Sequence, residues 1–120
     1  IRNKVIFKGW VKDTFPYLKK SKIFVLSSVY EGLGNVLIDA INFNTPCIST
    51  NCPSGPKEFC NGNSGFLFNN NSEDSLLKTL ELALNTNDKE KELKIINAKK
   101  KVRSFSIFYN YQTLEKKILN

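Results

Sequence analysis

The chain has 120 residues, 41% of them hydrophobic, with 18 basic against 11 acidic side chains and a formal net charge of +7. That length suits one small domain, and six glycines with four prolines are too few for a linker-type chain. Histidine is absent, which excludes His-based triads and most zinc sites. Three cysteines, Cys47, Cys52 and Cys60, leave an odd count at spacings that match no usual zinc pattern. They are expected as reduced thiols in small buried volumes of a cytoplasmic protein. No apolar run approaches the ~20 residues needed to cross a bilayer, and no signal-peptide pattern opens the chain. Its first residue is Ile, so a piece of a longer protein is expected.

In chain order, KVIFKGW (4–10) reads as a strand ending at a glycine. Residues 11–21 give a polar turn and then a helical turn. KIFVLSS (22–28) is a nearly continuous apolar run, the pattern of a strand buried on both faces. YEGLG (30–34) is a turn, and NVLIDAINF (35–43), apolar all round, reads as a buried helix. TPCIST (45–50) is a strand that tolerates Pro46 near its start. NCPSGPKEFC (51–60) is a loop entering a short helix, with Pro56 at its first position. SGFLF (64–68) is a strand. Ser72 then N-caps a helix with the apolar stripe Leu76, Leu77, Leu80 and Leu84. Residues 88–104 read as a charged helix, and 105–119 as a final amphipathic helix carrying Phe105, Phe108, Tyr109 and Leu114. Strands alternating with helices predict an α/β fold, a Rossmann-like parallel sheet with flanking helices.

The charge is uneven. Residues 1–87 carry nine basic and seven acidic side chains, a net of +2, whereas 88–120 carry nine and four, a net of +5. A basic tail over 88–120 attracts phosphates or anionic lipid. Lys interleaved with Glu in KEKELK equally fits a solvated helix face. Residues 88–120 are expected to pack as helices across the domain and to leave Lys99, Lys100, Lys101 and Arg103 exposed. No aromatic–basic signature of an RNA-binding module occurs, so no nucleic-acid partner is expected.

Two acids flank a strand-to-helix junction. Glu31 follows the strand KIFVLSS inside a glycine turn, and Asp39 lies in the next helix. Parallel sheets bind ligands beyond the carboxyl ends of their strands. Gly32 and Gly34 let backbone approach a ligand closely, and a helix starting near Asn35 turns its free N–H groups to a phosphate. An acid in an apolar helix is costly without a partner, and a ligand hydroxyl is one. A site that grips a nucleotide sugar fits these residues. So does a plain alternative, in which Asp39 bonds nearby backbone and Glu31 is a solvated loop acid.

The run YLKKSKIFVLSSVYEGLGNVLIDAINFNTPCISTNCPSGPKEF resembles the C-terminal part of retaining glycosyltransferases of family 4, group 1 glycosyl transferases with the GT-B fold. Their signature is a pair of acids separated by seven residues, as in Glu31, GLGNVLI, Asp39, although the second acid is usually Glu. Phe7 to Gly9, the Ser-Ser after a strand, SGPKE and GFL match in the same order over residues 4–85.

The resemblance implies that residues 1–120 are part of a donor-binding domain. Glu31 would be the catalytic contact to donor sugar hydroxyls. Gly32, Leu33, Gly34 and Asn35 would offer backbone to sugar and pyrophosphate. Asp39 would hold the ribose, and the loop after Gly9 would lie near the base. The reaction would be transfer of a hexosyl group with retention, from a nucleotide diphosphate sugar to a glycan or lipid-linked acceptor in polysaccharide or lipopolysaccharide assembly. No metal or other cofactor would be needed. The acceptor-binding N-terminal domain and the basic residues for the diphosphate would be missing partners, so these residues alone would be inactive. The full protein would work in the cytoplasm, at the inner face of an anionic membrane. The alternatives are a nucleotide-sugar-binding module acting only with a partner chain, a basic membrane- or nucleic-acid-binding domain, and a sugar-nucleotide epimerase. With the parental strand order 3-2-1-4-5-6, strands 1 and 2 would be absent. Residues 4–8 are then expected either to pair beside 22–27 or to leave an edge open to association.

Overall fold

The computed structural model describes residues 2–106, 114 and 118. Its elements are α1 (Phe15–Lys20), β1 (Phe24–Leu26), α2 (Asn35–Asn42), β2 (Cys47–Thr50), α3 (Gly55–Cys60), β3 (Phe66–Phe68), α4 (Glu73–Asn85) and α5 (Asp88–Ser104). The strands form one parallel sheet in the order β1-β2-β3, with Phe24 beside Cys47 and Ile48 beside Phe66 at the starts of the two ladders. This is the expected α/β architecture, and each connection is a helical crossover, as parallel pairing requires. The final amphipathic helix placed over 105–119 lies mostly outside the described residues.

Side chains alternate across the sheet and so sort into two cores. On one face Leu26 and Cys47 meet Leu18 of α1, Leu37, Ala40 and Ile41 of α2, Phe59 and Cys60 of α3, and Ala98 of α5. On the other face Ile48, Phe66 and Phe68 meet Ala83 of α4, with Leu76 and Leu80 packed against them. Ser72 caps α4 by accepting the Ser75 amide, at 3.2 Å.

Four expectations need correction. Residues 5–10 form no strand, because no neighbouring strand supplies hydrogen bonds. They lie exposed, with Phe7 93% and Trp10 87% accessible, and the pairing of 4–8 with 22–27 does not occur. KIFVLSS is not buried on both faces: Val25 is exposed, and α4 packs chiefly on β2 and β3. The stripe of α4 is Leu76, Leu80 and Ala83, whereas Leu77 and Leu84 are exposed. At about 100° per residue, those two fall on a flank a quarter-turn from the buried line. Finally, α2 is buried along one side only, through Leu37, Ala40 and Ile41.

The basic tail is also partly employed. Lys99 donates to Asn44 Oδ1 and Lys101 to the Asn61 carbonyl, each at 2.7 Å, and both are half-buried. They fasten α5 to the loops after α2 and α3. Lys100 and Arg103 are exposed, as expected.

All three cysteines are free and buried. Burial pushes the Cys47 thiol well up, with the neighbouring Cys60 adding to it. Burial likewise pushes Cys60 up to about 12, partly opposed by the Lys101 ammonium. A pKa raised in the folded state leaves stability intact below the ordinary thiol value, ~8.5. Stability is then lost as pH rises through the folded values. The domain should therefore weaken progressively from about pH 9 towards 12. At pH 8 a thiol reagent should leave Cys47 and Cys60 unmodified until denaturant is added; prompt labelling of both in the native protein would contradict their burial.

Candidate functional site

The three strands end at the same edge of the sheet, and the loops that follow them are tied together there. The ladder between β1 and β2 stops at Leu26 and Ser49. Just beyond it, the Thr50 hydroxyl donates to the Ser28 carbonyl at 2.5 Å. Asn70, after β3, donates its side-chain amide to the Val29 carbonyl at 3.1 Å. The Gly55 amide, at the start of α3, donates to the Gly32 carbonyl at 3.0 Å. The loop carrying Glu31 is thus held at Ser28, Val29 and Gly32 by the loops of both other strands.

Two glycines make this arrangement possible. Gly34 is buried at φ +71, in the left-handed region where a side chain is strained, and it turns the loop directly into α2. At Gly55 the constraint is contact: a Cβ there would lie 2.1 Å from the Leu33 carbonyl oxygen.

Glu31 is half-buried, and its carboxylate accepts a 2.7 Å hydrogen bond from the Ser28 hydroxyl. It is therefore not a freely solvated loop acid. No side chain caps α2. The first-turn amides of Asn35 and Val36 have no partner among the described residues, which leaves the positive helix end open to an anion. Asp39 stands one turn further along. It lies about 200° round the helix from Leu37, away from the buried stripe and on the same side as Asn35. Half-buried, its carboxylate has no hydrogen bond or ion pair among the described residues. The alternative in which Asp39 bonds nearby backbone is not what the structure shows.

The structure thus gathers Glu31, Gly32, Leu33, Gly34 and Asn35 into one tethered junction, with Asp39 on the helix it opens. Gly9 does not join them: it sits in the exposed segment before α1, and no hydrogen bond among the described residues links it to the group. Sequence reasoning missed Ser28, Thr50 and Asn70 as supports of the loop. The Ser-Ser pair after the strand was visible, but Thr50 lies 22 residues from Ser28 and Asn70 lies 41 from Val29. Only the parallel pairing brings them together.

The family profile of glycosyl transferases group 1 matches residues 1–102. Over 105 residues the chain is 37% identical to a Campylobacter jejuni GalNAc-alpha-(1->4)-GalNAc-alpha-(1->3)-diNAcBac-PP-undecaprenol alpha-1,4-N-acetyl-D-galactosaminyltransferase, a match that covers 87% of this chain and 29% of that enzyme. Its fold is similar to that of a Rickettsia africae glycosyltransferase, with a TM-score of 0.74 and 20% identity, covering 99% of this chain and 33% of that one. It is also similar to the C-terminal domain of a Francisella tularensis group 1 glycosyl transferase, with a TM-score of 0.65 and 20% identity, covering 81% of this chain and 51% of that one. The chain belongs to the group 1 glycosyl transferases, and its fold is that of their C-terminal domain.

Proposed function

We propose that this chain forms the donor-binding part of an enzyme that moves a hexosyl unit from a nucleotide diphosphate sugar to a glycan or lipid-linked acceptor, with retention. The observation that carries the reading is the pairing of an uncapped helix end with two acids beside it. The open amides of α2 suit a diphosphate, while the Glu31 carboxylate suits sugar hydroxyls and the otherwise unpartnered Asp39 suits those of a ribose. A lipid-linked acceptor is supported by the name of the Campylobacter relative, which specifies an undecaprenol-linked substrate. Among the described residues no helix is long and apolar enough to cross a membrane. Exposed cations such as Lys100 and Arg103 would suit contact with an anionic membrane surface.

The roles follow from chemistry. Glu31 holds donor hydroxyls through charge-assisted bonds, the 32–35 backbone approaches sugar and pyrophosphate, and Asp39 binds ribose directly or through water. The acceptor site and the cations that neutralise the diphosphate come from the rest of the enzyme, so these residues alone do not turn over. No step requires a metal.

The test is calorimetric titration of the complete enzyme with nucleotide diphosphate sugars. One donor should bind at micromolar concentration, and Asp39→Asn should weaken it by roughly tenfold, the loss of one charge-assisted bond at ~1.5 kcal/mol. Unchanged affinity in that variant would remove Asp39 from the donor site. Product with inverted anomeric configuration would end the retaining assignment.

A further inference from the structure

We infer that Ser28 is a positioning residue for Glu31, held in place by Thr50. This rests on the reading of Glu31 as a donor contact, and it identifies what fixes that carboxylate before the donor arrives.

A glutamate on a loop has three side-chain rotors, and a half-buried one has many orientations available. Here one is selected. The Ser28 hydroxyl donates to Glu31 Oε1 at 2.7 Å, within the range of a charge-assisted bond. That hydroxyl is useful only if the Ser28 backbone is fixed, and the β-ladder has already ended at Leu26. Thr50 replaces the missing ladder bond: its side chain, 1% exposed, donates to the Ser28 carbonyl. A buried donor on the central strand thereby fixes the residue that aims the acid. Because Ser28 occupies one oxygen of Glu31, the other remains for a donor hydroxyl. The arrangement sets orientation without adding a donor contact, so it acts on turnover rather than on affinity.

The experiment is steady-state kinetics of the complete enzyme with Ser28→Ala, Ser28→Thr, Thr50→Val, Thr50→Ser and Glu31→Ala, together with the Ser28→Ala/Glu31→Ala double variant. Ser28→Ala and Thr50→Val should each lower kcat about tenfold, with donor KM changed less than about twofold. Ser28→Thr and Thr50→Ser, which keep the hydroxyls, should restore most of the rate. With Glu31 already removed, Ser28→Ala should change the residual rate less than about twofold, since no carboxylate remains to aim. Three results would each overturn the inference: a kcat for Ser28→Ala near wild type, the same tenfold loss with and without Glu31, or no rescue by the hydroxyl-bearing variants. Glu31→Ala alone separates this from the underlying reading. If that variant keeps full turnover, the assignment of Glu31 falls and the positioning role falls with it. If it loses turnover while Ser28→Ala does not, only the positioning role falls.

Discussion

Glu31→Ala in the complete enzyme should lower kcat/KM by about 100-fold while leaving the fold intact. A hydrogen bond between a carboxylate and a hydroxyl contributes ~1.5–3 kcal/mol when one partner is charged, and each ~1.4 kcal/mol is tenfold in rate. A contact that tightens as charge develops on the sugar appears mainly in kcat. The structural cost is small by comparison. Glu31 sits in a half-buried loop, and the protein bond lost is the one from Ser28, which near solvent is worth about 0.5–1.5 kcal/mol. The loop keeps its three backbone tethers from Thr50, Asn70 and Gly55. Circular dichroism should therefore match the parent, and the melting temperature should fall by only roughly 2–10 °C. A variant that melts within that range and turns over within threefold of wild type would show that Glu31 does not contact the reacting sugar.

Gly55→Ala should have the largest effect on folding. An alanine Cβ would lie 2.1, 2.6 and 2.9 Å from the Leu33 carbonyl oxygen, carbonyl carbon and Cα, whereas carbon and oxygen ordinarily approach no closer than ~3.3 Å. The neighbour is backbone, so no side-chain rotation relieves the contact. Separation by more than an ångström would also break the bond from the Gly55 amide to Gly32. Alanine brings gains of ~1 kcal/mol in helix propensity and ~0.4–1 kcal/mol from a less disordered unfolded chain. Forced overpacking outweighs them, for a net loss of about 3 kcal/mol. That corresponds to a fall in melting temperature of roughly 10–20 °C for a domain of this size. Gly32→Ala is the control: a Cβ there meets nothing within 4 Å, and stability should stay within ~0.5 kcal/mol. Equal melting temperatures for Gly55→Ala and the parent would mean that the two loops are not in contact.

Several elements were readable because their signals are local. Ser72, with Glu73 and Asp74 after it, marks the start of α4, and the apolar run before SS marks β1. Gly34 before NVLI marks α2. The segment KVIFKGW has an equally good strand pattern and is not a strand. Pattern records preference, but a strand exists only beside another, and no described strand lies next to it. Exposed Leu77 and Leu84 fail for a related reason: a stripe of leucines does not say how wide a surface awaits it. At the site, the spacing of Glu31 and Asp39 and the glycines between them were legible. The hydroxyls that hold the loop were not, because each acts across strands far apart in sequence.

Trp10, the chain's only tryptophan, stands 87% exposed on the unpaired segment before α1. Its fluorescence therefore reports on neither core. Denaturant unfolding followed by tryptophan emission would register almost no change while the sheet came apart, and a flat trace would be mistaken for exceptional stability. The same indole becomes a sensitive probe of the opposite event. Whatever surface comes to cover residues 5–10 in the complete enzyme should shift its emission to shorter wavelength and shield it from iodide, without any rearrangement of β1, β2 or β3.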